Sequence, residues 1–115
     1  MEFNASHNHA PLSARRVRLV IDLIRGKHVN DALQILRATP KRASYYVDKV
    51  LRSAMANADQ SLEAEMEQLK VSKAWVDEAR MSKKGWARAR GRGVLIRTRT
   101  CHINIVLDDG QAVEA

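Results

Sequence analysis

Two hydrophobic periods divide this chain. Between Ser13 and Ala58 apolar residues recur every three or four positions, the spacing of a helix with one buried face; after Leu69 they alternate with polar residues, the spacing of a strand. In the first stripe Val17, Val20, Ile21 and Ile24 fall on one side and Arg15, Arg18, Asp22 and Arg25 on the other, with Ser13 placed to cap the helix and Gly26 to end it. A second, short helix runs through Ala32, Leu33, Leu36 and Arg37, with Asn30 as its predicted cap. Thr39-Pro40 predicts the third start, because proline at the first helical position gives up only an N–H that has no partner there anyway. This helix should be the longest: Ala43, Val47, Val50, Ala54 and Ala58 form a stripe of small residues that permits close packing, while Lys41, Tyr45, Asp48 and Arg52 line another face. Residues 1–11 lack a helical period and Pro11 holds its predecessor extended, which predicts an N-terminal strand.

The acidic run Asp59 to Gln68 reads as a loop. Leu69 to Asp77 is strand-like, with Leu69, Val71 and Trp75 on one face and Lys70, Ser72, Ala74 and Val76 on the other. The last strand alternates more cleanly: Cys101, Ile103, Ile105 and Leu107 against Thr100, His102, Asn104 and Val106. Between these patterns, Asp77 to Val94 is too long for an ordinary connection in a small domain. If both strands run on beyond the body they form a β-hairpin about 30 Å long, with its tip near Lys83 to Ala87. Apart from Met81 and Trp86 such an arm has little to bury, so something outside the chain must order it. The class is α+β, one domain over residues 1–115 with a long protruding basic β-hairpin over about 77–99.

Charge sharpens this picture. Twenty Lys and Arg against thirteen Asp and Glu give +7, and residues 79 to 107 hold eight basic side chains and no acidic one. A solvated surface mixes signs, so a stretch this one-sided points to a polyanionic partner. Arg80, Lys83, Lys84, Arg88, Arg90, Arg92, Arg97 and Arg99 can bond phosphates, guanidinium planes can stack on unpaired bases, and Gly85, Gly91 and Gly93 let the backbone approach closely. A thin adaptable arm suits the crevices of folded RNA better than a duplex groove. The lone Cys101 can form no internal disulfide and no cysteine-rich zinc site. No apolar run approaches membrane-span length and no secretory pattern opens the chain, so a cytoplasmic protein without membrane contact is expected.

Four stretches carry a resemblance. They are Ser13-Ala14-Arg15-Arg16-Val17-Arg18-Leu19-Val20 continued by Asp22-Leu23-Ile24-Arg25-Gly26-Lys27; Lys49-Val50-Leu51 with Ser53-Ala54-Met55-Ala56-Asn57-Ala58; Val76-Asp77-Glu78; and Lys83 with Arg88-Ala89-Arg90-Gly91-Arg92 and His102-Ile103-Asn104-Ile105. In this order they resemble the universal large-subunit ribosomal protein family numbered twenty-two, over nearly the whole chain. The resemblance implies three helices packed on a small three-stranded antiparallel sheet near the exit of the nascent-peptide tunnel, with the hairpin passing inward through ribosomal RNA and its tip lining the tunnel. It also implies a structural role, with ribosomal RNA, neighbouring large-subunit proteins and the nascent peptide as partners, no cofactor, and a monomer when free. Two departures touch the arm: Ala79-Arg80 stands where the family has Gly-Pro, and Ala87 where it has proline.

His7-Asn8-His9 carries the letters of a nuclease motif but lacks the accompanying acid, base and metal set, and two histidines on one strand face need a distant third ligand to hold a metal. His7 and His9 are expected to make polar contacts with RNA instead, and no catalysis is expected. Ser13, Arg15, Arg16, Arg18, Arg25 and Lys27 are expected to add RNA contacts from the first helix. Trp75 is predicted to lie in the core, and Trp86, near the tip, to stack on a base. Asp22 is given no function. Two other readings remain: a protein-interaction module using the acidic stretches Asp59 to Gln68 and Asp108 to Ala115, and a stand-alone RNA chaperone.

Overall fold

In the computed structural model, which describes residues 2–60 and 68–109, the helical period gives three helices: α1 (Ala14–Ile24), α2 (Val29–Ala38) and α3 (Arg42–Asp59). Ser13 caps α1 as predicted, its hydroxyl accepting the Arg16 N–H at 3.4 Å, and Gly26 leaves it at φ +79°, a left-handed turn that glycine enters without strain. The other two starts differ from expectation. His28 caps α2, its Nδ1 accepting the Asn30 N–H, so Asn30 lies inside the first turn and gives the bond it was expected to receive. Thr39 does not open α3: its hydroxyl donates to the Ile35 carbonyl at 2.7 Å and closes α2, where free carbonyls compete for it. α3 therefore begins after Lys41, without a side-chain cap. The whole predicted stripe of α3 is buried, joined by Leu51.

The strands form two antiparallel sheets. β1 (Glu2–Ala10), β2 (Lys70–Glu78) and β5 (Cys101–Asp108) make a three-stranded sheet in the order β1-β5-β2. α1 packs on β2, and α3 on β1 and β5, so one core lies between the helices and the face that carries Cys101, Ile103, Ile105 and Leu107. Burial pushes the Cys101 thiol up, keeping it protonated as an apolar strand residue. β3 (Ser82–Ala87) and β4 (Gly93–Thr98) form a separate two-stranded sheet. The predicted continuous strands thus break at the root, where the Ala79 N–H donates to the Thr100 carbonyl and the Thr100 hydroxyl to the Arg80 carbonyl.

Bulges correct two further expectations. In β2, Val71 pairs with Leu107 but Lys73 with Val106, so Ser72 is an extra residue and every position beyond it changes face. Ala74 and Val76 turn into the core, and Trp75 turns out of it, 41% exposed, with its indole N–H donating to Asp77. In β1, Asn8 and His9 sit between the paired positions His7 and Ala10, with His9 at φ +59°, so the two histidines do not share a face. The acidic run predicted as a loop falls largely on residues 61–67, outside the described residues; α3 itself continues to Asp59.

The outer edge of β2 is engaged by α1 and the bend that follows it. Gly26 donates to the Val71 carbonyl, Val71 to the Lys27 carbonyl and Val29 to the Leu69 carbonyl. Further along, Arg25 donates to the Ala74 carbonyl through Nε and Nη2 at 3.1 and 2.8 Å. Two helical turns earlier Arg18 does the same to the Val76 carbonyl at 3.3 and 3.0 Å. Two guanidinium forks seven residues apart on a helix thus match two carbonyls two residues apart on a strand.

Candidate nucleic-acid interface

The β3–β4 ribbon has no core of its own. Every residue from Ser82 to Thr98 is exposed except Ile96, which is half-buried. The register pairs Lys84 with Ile96 and Trp86 with Val94, collecting Trp86, Val94 and Ile96 on one face. On the other face Lys83 stands opposite Arg97, two like charges across the ladder, an arrangement that opposes pairing until an anion lies between them. The turn lies at Arg88–Arg92, not at Lys83 to Ala87: the pairing runs on to Ala87 and Gly93, and the Arg88 N–H donates to the Arg92 carbonyl at 2.7 Å. Arg90 (φ +63°) and Gly91 (φ +71°) make the left-handed bend. For arginine that conformation costs about 1–2 kcal/mol. Arg88, Arg90 and Arg92 therefore converge on one small closed turn, with Trp86 just before it and 56% exposed.

A second concentration of charge lies at the ribbon's root. A cleft of about 510 Å³ is lined by Arg16 and Ser13 from the start of α1, Lys41 and Arg42 from the start of α3, and Arg97 and Arg99 from the returning strand. Five cations and no carboxylate line it, so a phosphate is the complementary occupant. A smaller neighbouring hollow carries Arg15 and Arg99 with Glu78. Sequence reasoning missed Lys41 and Arg42, which stand at a helix start whose position it misplaced.

The remaining predicted residues separate by what their side chains already hold. Arg18 and Arg25 are bonded to β2, and Arg25 also holds Asp22 at 2.7 Å. Lys27 is exposed at the bend after α1. His7 is half-buried against the Tyr46 ring, while the His9 ring meets the His102 ring edge-on at 4.8 Å and the His9 backbone N–H donates to His102 Nδ1. Among the described residues no group of three or more His, Cys, Asp or Glu is placed to hold a metal ion. No described helix is long and apolar enough to cross a membrane.

Residues 5–108 match the family model described as ribosomal protein L22p/L17e. The chain belongs to this family. It is 51% identical over 107 residues, 93% of its own length and 95% of the relative's, to the large ribosomal subunit protein uL22 of Carboxydothermus hydrogenoformans. It is 50% identical over 109 residues, 95% of its length and 96% of the relative's, to the large ribosomal subunit protein uL22 of Halothermothrix orenii. As a member of the L22p/L17e family it is a ribosomal protein, a structural constituent of the large subunit and not an enzyme, and RNA binding is general to the family.

Proposed function

We propose that residues 1–115 act as one RNA-binding domain that clamps ribosomal RNA of the large subunit at two levels, with the β3–β4 ribbon as an arm threaded into the RNA and the cleft at its root seated on the surface. The observation that carries this reading is the ribbon itself: a two-stranded sheet with cations on both strands, like charges opposed across it and no buried side chain of its own. Arg80, Lys83, Lys84, Arg88, Arg90, Arg92, Arg97 and Arg99 neutralise phosphates along the arm, and Trp86 stacks on a base. Ser13, Arg15 and Arg16 serve the root together with Lys41 and Arg42, and Lys27, His7 and His9 make peripheral polar contacts. Arg18 and Arg25 act chiefly within the fold, because their forks are already bonded to β2.

The Arg88–Arg92 turn is the part that reaches furthest along the arm and is the element that meets the nascent peptide. The free protein is a cytoplasmic monomer and the assembled one is ribosome-bound beside other large-subunit proteins. Fractionating lysate on a sucrose gradient and detecting this chain tests the assignment. It should travel with large subunits and full ribosomes; recovery mainly in ribosome-free fractions would overturn it.

A further inference from the structure

The aromatic pair on α3 has no role in this clamp, yet it is held in place and borders it. Tyr45 is 58% exposed. Its ring meets Tyr46 edge-on at 5.3 Å and 84°, and Lys49 Nζ lies 4.5 Å from its centroid. Tyr46 is itself held, with the Arg42 guanidinium 5.8 Å from its centroid and the His7 ring 5.8 Å away. The exposed ring is thus fixed from two sides before any ligand arrives. Lys41 joins it to the basic cleft, lining that cleft together with Arg42 and sharing with Tyr45 a second hollow that also carries Arg37. The carboxylate nearby, Asp48, is bonded to Arg52 at 3.0 Å.

We propose that Tyr45 is a stacking platform for one unpaired nucleobase of an RNA strand whose phosphates continue into the cleft of Arg16, Lys41, Arg42, Arg97 and Arg99. This rests on the RNA-binding reading above and adds a base contact on the body, away from the ribbon. The chemistry favours a nucleotide over an apolar protein segment. A flat exposed ring flanked by Arg37, Lys41, Arg42 and Lys49 offers stacking and charge together, whereas an apolar partner would have to strip water from those four cations and return nothing. A base is also a flat group that a ring with a cation on one face can hold on the other.

The test uses the full-length protein and two probes, a short oligoadenylate RNA and an RNA duplex of equal length, with anisotropy titrations at one salt concentration. Tyr45→Leu should weaken the single strand about five- to a hundredfold, the equivalent of one lost stack, while leaving the duplex within about twofold. Tyr45→Phe should bind both RNAs like the wild type. Because Tyr45 is exposed, both variants should melt with the wild type. Loss of equal size on both RNAs, or no loss on either, overturns the platform; in the second case the ring faces a protein neighbour. An Arg97→Ala/Arg99→Ala variant separates the two readings. It should weaken both RNAs, and wild-type affinity in that variant overturns the phosphate clamp while the selectivity of Tyr45→Leu still decides the platform.

Discussion

β4 and β5 follow one another with only Arg99 and Thr100 between them, and both pair antiparallel, yet they belong to different physical regimes. β5 is paired on both sides and buries Cys101, Ile103, Ile105 and Leu107 completely. Each large inward side chain there is worth about 1.5–3 kcal/mol. β4 is paired on one side only and buries no side chain fully, Ile96 alone being half-buried. The same ladder of backbone bonds is therefore a structural element in one place and mere reach in the other. What separates them is whether apolar surface leaves the water, because hydrogen bonds exchanged with solvent contribute little on balance. The body carries its own stability; the ribbon, with little apolar surface to bury, is the part that the proposed RNA contact would have to order.

Perturbing each region tests that contrast. The largest effect is expected from Val50→Asp on the packed face of α3, where the side chain is 3% exposed: a carboxylate without a partner should cost several kcal/mol and unfold the body in a thermal melt. RNA binding would then fail through unfolding alone. Arg25→Ala should cost about 1–2 kcal/mol by releasing the Ala74 carbonyl. Arg25→Lys should not restore it fully, since an ammonium cannot reproduce the two-pronged contact. If Arg25→Ala leaves the melt unchanged and instead weakens RNA binding, the residue belongs to the interface.

Replacing Arg88, Arg90 and Arg92 together with Ala should change folding by less than about 0.5 kcal/mol, because these charges are exposed. The same variant should lower the log-log salt slope of RNA affinity by about 2, as three phosphate contacts on a single strand would. A melt far below wild type with an unchanged slope would make the arginines structural. Without any substitution, NMR order parameters of the free protein should fall below about 0.6 in β3 and β4 and stay near 0.85 in α3. Equal values would mean that the ribbon orders itself.

The body was legible wherever one period ran unbroken. α1 from Ser13 to Ile24, the α3 stripe and the alternation of β5 could be read directly, because each pattern spans several turns or pairs and its burial follows from spacing alone. The failures have local causes. Ser72 shifts the phase of β2, and nothing in the order of side chains marks a bulge; Trp75 was assigned to the wrong face for that reason. Thr39 suits both the end of one helix and the start of another, and the nearer free carbonyl took it. Length and charge alone do not locate the turn of the ribbon, which Arg90 and Gly91 set by their left-handed backbone. Of the candidate site, the charge of residues 79 to 107 was visible at once. The cleft was not, since Arg16, Lys41 and Arg97 meet only through tertiary packing.

The engaged edge of β2 bears on the interval between synthesis and assembly. A ribosomal protein is made away from its RNA and waits among identical chains, with its partner surface empty. An open strand in that pool is a template on which the next copy can add, and such growth does not close on itself. Here that edge is occupied from within, by the bend at Gly26 to Val29 and the two guanidinium forks. Losing both Arg18 and Arg25 would uncover part of that edge and should show first as precipitation on concentrating the RNA-free protein.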